Sequence, residues 1–282
     1  MTIFGLPQGE VTSLVTAVAG RELDQNGVVL RFAHATWSGI SEPGDRVAGL
    51  VVAQLGAPSA LTALIDQRNA EWWVAALGGA DAASVGLKEM TDALARWMPR
   101  LNSHLSLLAV RQAARFAAKL IVPADERWPA QLSDLGDHAP IALWQRGSDA
   151  AVAAMDRSIA LVGARAATGY GEHVTMEASA GLVDRGYAIV SGAAYGIDGM
   201  AHRAALASKG TTVAFLAGGV DRFYPSGHDA LLTRIVERGA VLSELPCGSS
   251  PTKWRFLQRN RLIAAAGLTR TRRQTAHAAP VR

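Results

Sequence analysis

The chain has 282 residues, of which 49% are apolar, with 28 Lys and Arg against 24 Asp and Glu and one cysteine, Cys247. That is enough for one large domain or two modest ones with a sizeable core, yet no apolar run reaches the roughly 20 residues of a membrane span and the N-terminus lacks a secretion signal. A lone cysteine excludes an internal disulfide and fits a reducing, cytoplasmic location. It reads as a small structural residue in the loop before Gly248.

Charge is unevenly placed. The segment from Gly267 to Arg282 holds Arg270, Arg272, Arg273 and Arg282 and no acid, so the net +4 resides there and the rest is neutral, 24 against 24. Any affinity for nucleic acid must then come from local clusters.

Up to about Phe116 the pattern is helical. Segments 46–55, 59–66, 70–77, 87–98 and 103–120 carry apolar residues at helical spacing, with Gly and Pro between them. Residues 1–116 read as a small helical domain, with Trp72, Trp73 and Trp97 packed inside it. From about Lys119 the texture changes. Residues 141–144 read as a short strand, and the apolar run 158–162 as a strand buried on both faces. Strand candidates 187–190, 211–216 and 240–242 alternate with helix candidates 171–185, 199–208 and 229–238. In the first helix Val174, Ala178, Gly181 and Leu182 mark one face. The helices end in Arg185-Gly186, Lys209-Gly210 and Arg238-Gly239, which predicts a left-handed glycine with a cation at the negative end of the dipole. Strand–helix alternation predicts a doubly wound, Rossmann-like α/β domain with a parallel sheet over 117–266. A basic irregular tail, 267–282, follows.

In such a sheet ligands bind beyond the carboxyl ends of the strands. Three glycine-rich loops leave those ends: Gly163 to Gly169 with Arg165 inside it, Ser191 to Asp198 with Gly192 and Gly196, and Gly218 to Pro225. Each alone reads equally as a tight turn. Together they predict a phosphate site, because glycine admits a close ligand and the following helix amides attract anions. Arg165 adds a fork of donors suited to phosphate oxygens. A dinucleotide fits poorly. Gly169-Tyr170-Gly171 lacks the third glycine, and the second strand ends Val190-Ser191 with no acid for a ribose. No lysine follows a Walker-type run, and no cofactor is expected.

The stretch 251–261 places Lys253, Arg255, Arg259 and Arg261 among Trp254 and Phe256, with no acid. It reads either as a solvated basic helix with its aromatics in the core, or as a surface that neutralises phosphates and stacks bases. Asp198 and His202, four apart, read as loop bracing rather than catalysis. No nucleophile is paired with a base and no metal-ligand cluster is visible, so the chemistry expected is binding, not turnover.

Taken together these segments are similar to the DNA-processing protein A (DprA/Smf) family. The matching pieces are Arg127-Trp128-Pro129, Pro140 to Trp144, Val162 to Arg165, Ile189 to Asp198 with Ala201-His202, Gly218-Gly219 through Tyr224-Pro225, Leu242-Ser243-Glu244, and Lys253 through Ala264. The resemblance implies a single-stranded DNA-binding recombination mediator that loads RecA on incoming DNA during natural transformation, working as a homodimer. It assigns DNA contact to Gly163, Arg165, Ser191, Gly192, Gly196, Lys253, Arg259, Asn260 and Arg261. Motif by motif it stops after Ala265, where further strands are expected, which suggests a truncated or altered C-terminal end and an exposed sheet edge. The competing reading is a nucleotide hydrolase of the lysine-decarboxylase-like type, whose proline-glycine-glycine-x-glycine-threonine stretch is not found here.

Overall fold

The computed structural model describes residues 2–78 and 85–267. Strands β1 (Thr2–Ile3) and β2 (Leu6–Pro7) form a small hairpin. Among the described residues seven α-helices follow: α1 (Gln8–Ala19), α2 (Gln25–Ile40), α3 (Arg46–Leu55), α4 (Ala57–Ile65), α5 (Ala70–Leu77), α6 (Leu87–Trp97) and α7 (Ser103–Arg115). Four of them start where a short polar side chain is available. Asp24, Asp45, Asn69 and Asn102 each accept the amide three residues on, satisfying a donor that the helix itself leaves unpaired. Trp73 and Trp97 are fully buried, and Trp97 meets Trp37 edge to face at 5.3 Å. Trp72 departs from the expectation. It lies on the outer side of α5, 38% exposed and beneath Arg68, because successive helical residues point about 100° apart.

Residues 103–120 do not stay helical. Helix α7 ends at Arg115, Ala117 takes a positive φ of 51°, and the chain leaves as β3 (Lys119–Ile121). With β4 (Leu143–Gly147), β5 (Ser158–Ala160), β6 (Ala188–Ser191), β7 (Thr212–Phe215) and β8 (Ala240–Ser243) it forms one sheet, ordered β3-β4-β8-β7-β6-β5. Strands β5 to β8 are parallel as expected. Strands β3 and β4 run antiparallel, so the sheet is mixed. The connection between them, 122–142, contains only 3-10 turns, and a parallel pair needs a crossover helix.

Strands β6, β7 and β8 are buried at every residue, since both faces are covered. Helices α10 (Ile197–Ala207) and α11 (Asp229–Arg238) cover the side of Ile189, Ala214 and Val241. Helices α8 (Asp149–Ala153) and α12 (Lys253–Ala266) cover the side of Val213, Phe215 and Leu242. Strand β5, expected to be buried on both faces, is instead the edge strand, and Val162 just beyond it is 59% exposed.

One core also runs across the boundary expected at residue 116. Val11, Val15, Phe32 and Val110 join Leu120, Trp144 and Leu231 in it, while α3 to α6 close around a second core. Helix α2 is pinned to the sheet by buried Arg31, which donates to Leu120 O and Asp125 Oδ2, both at 2.9 Å.

Helix α9 (Gly169–Asp184) buries Thr175 and Ser179, not the expected face, and Val174 is 42% exposed. It packs on α10 through small side chains, with Ser179 Oγ donating to Ala201 O at 2.9 Å. The helix ends also differ from the expectation. Gly186 is left-handed at φ 78°, but at the second end Lys209 itself takes φ 57°. Gly239 has φ −144° and is required for contact, because a Cβ there would strike the carbonyl of Thr212. Among the described residues no single helix is long and apolar enough to cross a membrane. The expected tail lies, from 268 onward, outside the described residues.

Candidate nucleic-acid interface

The three loops meet at the carboxyl ends of β5, β6 and β7. The first two are stitched directly: Ile197 N donates to Ala164 O at 3.1 Å. Gly196, at φ 75°, lies so close that a Cβ would meet the carbonyls of Ala164 and Arg165. Gly163 faces Ile197 in the same way. The glycines of this turn pair are therefore needed for loop against loop, as well as for any ligand.

Several groups expected to hold phosphate are taken up internally. Ser191 is fully buried and its Oγ donates to Leu161 O at 2.6 Å. The Gly192 amide donates to buried Asp198 at 3.2 Å, so Asp198 braces the loop from the start of α10. Arg259, 4% exposed, sends Nη1 to Gly192 O at 2.6 Å and to Phe215 O at 2.5 Å. That single guanidinium ties the ends of β6 and β7 to α12. Burial, partly offset by Asp198 and reinforced by Arg165, lowers its pKa to about 10. Arg261 pairs with Glu244, Nη1 to Oε2 at 2.7 Å. Burial raises the Glu244 pKa against the pull of Arg261. Arg255 holds Glu42 of the helical part at 2.9 and 3.0 Å. Burial acts to raise the Glu42 pKa, but Arg255 and Arg100 keep it below the ordinary carboxylate value. Of the four cations in 251–261, only Lys253 is exposed.

What reaches the surface is a mixed cationic and aromatic cleft. Arg165 is exposed and its guanidinium lies 5.3 Å from the Phe256 ring centre, while Arg259 approaches the same ring at 5.6 Å. Tyr224, 53% exposed, meets Phe256 at 5.5 Å. Tyr195, 48% exposed, stands edge-on to buried His228 at 4.9 Å, and His228 Nδ1 bonds Ala193 O at 3.0 Å. Beside them opens a cleft of about 230 Å³ lined by Val162, Gly163, Arg165, Asp198, Arg259 and Asn260.

Of the residues assigned from sequence, Gly163, Arg165, Arg259 and Asn260 line this cleft and Lys253 stands exposed at the first position of α12. Ser191, Gly192 and Gly196 lie behind it as its frame, and Arg261 is drawn to Glu244. Tyr195 and Tyr224 were not singled out from sequence as site residues, whereas Phe256 was read as an aromatic either buried or stacking bases. Their signal was aromatic residues inside glycine-rich or basic stretches.

His202, beneath the cleft, is fully buried. Its Nδ1 bonds Thr212 Oγ1 at 2.7 Å, and that hydroxyl donates to Ile189 O at 2.8 Å. Burial, with nearby Arg259 and His228, lowers its pKa to about 3, so the ring is neutral. Cys247 is buried as well, and burial with the neighbouring Asp221 pushes its pKa up to about 12. Both are structural groups.

The fold and cleft define an α/β protein of the Rossmann-like class, with glycine-rich loops beside an exposed cationic and aromatic surface. The chain belongs to the DNA recombination-mediator protein A family, whose profile matches residues 119–271, more than half of its length. A DprA-type DNA processing protein of Mycobacterium tuberculosis is 50% identical over 161 residues, covering 54% of this chain and 41% of that protein. The DNA processing protein DprA of Bacillus subtilis is 36% identical over 141 residues, 50% of this chain and 47% of its own. The match thus spans less than half of these relatives. The X-ray structure of DNA processing protein A from Streptococcus pneumoniae superposes with a TM-score of 0.59 at 26% identity, covering 83% of this chain and 73% of that one. The profile continues to residue 271, past Ala265 where the motif-by-motif resemblance stops.

Proposed function

We propose that this protein binds single-stranded DNA in the cleft between the three loops and α12. In this reading it is a recombination mediator in the cytoplasm that loads RecA on incoming strands during natural transformation, as a homodimer. The observation that carries it is Arg165 stacked on Phe256, with Tyr224 on the same ring and Lys253 and Asn260 on the same helix. Arg165 and Lys253 supply exposed cations for backbone phosphates, and the aromatics offer faces to unpaired bases. Such a site positions a strand without reading its sequence. Ser191, Gly192, Arg259 and Arg261 act by holding the loops and α12 in register. Family membership supports the DNA-processing role.

The test is fluorescence anisotropy with a labelled single-stranded oligonucleotide and its duplex, for wild type and for Arg165→Ala with Lys253→Ala. A preference for the single strand that the double variant loses supports the reading. A folded wild type that binds neither probe refutes it. RecA assembly on the same oligonucleotide, with and without the protein, tests the loading step.

A further inference from the structure

Helix α12 separates two concavities. Phe256, Arg259 and Asn260 face the cleft already described. Trp254 and Gln258, on the opposite side, line a groove of about 430 Å³ against the helical part, together with Ile40, Trp97, Arg96 and Arg100. Trp254 is 58% exposed. A tryptophan left so open at the rim of a groove marks a contact surface, because its large apolar ring gains most from being covered.

We infer that this groove is a second subsite for the same single strand, in which Trp254 stacks a base that lies outside the cleft. The inference rests on the proposed DNA-binding role. Three observations favour a nucleic acid over another occupant. First, the two sites flank one helix: Lys253 is exposed beside Trp254 at the start of α12, and a strand leaving the cleft crosses only the width of that helix, about 10 Å. Second, Arg96 and Arg100 present their cations outward. Arg96 is 51% exposed over Asp45 at 8%, and Arg100 is 41% exposed over Glu42 at 29%. The acids sit inward and are already paired, so an incoming phosphate meets guanidinium edges first. Third, the exposed carboxylates Glu89 and Asp92, on the same helix as Arg96, each have their own cationic partner, Arg46 or Lys88, which offsets their charge.

The experiment compares two labelled oligothymidylates of about 4 and about 16 nucleotides, the span of site sizes known for single-strand folds. The proteins are wild type, Trp254→Ala and Trp254→Phe. The short probe fills the cleft alone and the long one reaches the groove. Trp254→Ala is expected to weaken the long probe about 5- to 150-fold, the loss of one stacked base, and to leave the short probe unchanged. Trp254→Phe, which keeps a stacking face, is expected to restore most of the long-probe affinity. Equal losses on both probes would overturn the inference by placing Trp254 in the cleft. No loss on either, or a change in oligomeric state by light scattering in place of affinity, would overturn it too. Failure of wild type to bind either probe would remove the DNA-binding role and this subsite together.

Discussion

The sharpest structural consequence concerns Arg259. Its guanidinium donates to two buried carbonyls, Gly192 O and Phe215 O, from the middle of α12. Charged hydrogen bonds of this kind contribute about 1.5–3 kcal/mol each, so truncation forfeits about 3–6 kcal/mol. Against that stands the burden of a buried cation. The pKa is lowered from 12.5 to about 10, a difference equivalent to about 3 kcal/mol that Arg259→Ala relieves. The lost stacking of its guanidinium over Phe256 adds to the cost of the variant. We expect a net destabilisation of about 2 kcal/mol, read as a lower urea midpoint at unchanged slope. Arg259→Lys should fall between, since an ammonium lacks the planar fork. The same variants separate an internal strut from a DNA contact. A strut lowers affinity and leaves the salt dependence of binding intact, whereas loss of a phosphate contact flattens it. Arg259→Ala with wild-type stability and a reduced salt slope would refute the reasoning.

Two further outcomes follow from the same packing. Gly192→Ala places a Cβ onto the Arg259 guanidinium, so it should destabilise by about 2 kcal/mol, and the double variant with Arg259→Ala should fall well short of the sum; additive losses in a double-mutant cycle would contradict the contact. The pH profile should show an acid-side loss that begins near neutrality. Burial lowers the pKa of His34 to about 4 and of His202 to about 3, whereas in the unfolded chain each titrates near 6.5. Their depressed folded values mean that their stabilisation is complete above about pH 6.5 and is lost as pH falls towards 4. His34 alone accounts for about 3 kcal/mol over that window. Denaturant midpoints that stay level from pH 7 to pH 5 would count against it.

The parallel half of the fold was legible because its rules are local. Helices α3, α5 and α11 fall on the residues where periodicity put them, and the loops after β5, β6 and β7 leave the sheet together as the alternation required. The antiparallel β3 was hidden because three residues, Lys119–Ile121, continue the apolar spacing of α7 without a break that composition can show. The face of α9 was misjudged because the helix packs through Thr175 and Ser179 on another helix, where small side chains win over large ones. In the basic stretch, charge alone could not separate inward from outward. The partners that decide it, Glu42, Glu244, Gly192 and Phe215, are far away in sequence. Lys253, Trp254, Leu257 and Asn260 are among the residues left outside, a distinction only the folded helix makes.

The most direct test of the account is the salt dependence of single-strand affinity for wild type, Arg165→Ala and Lys253→Ala. Each exposed cation that neutralises one phosphate carries about 0.7 of slope in log affinity against log salt. The account predicts a negative slope for wild type, a slope about 0.7 less negative for each single variant, and both changes together in the double variant. A folded wild type whose affinity ignores salt, or variants that keep its slope, would contradict it.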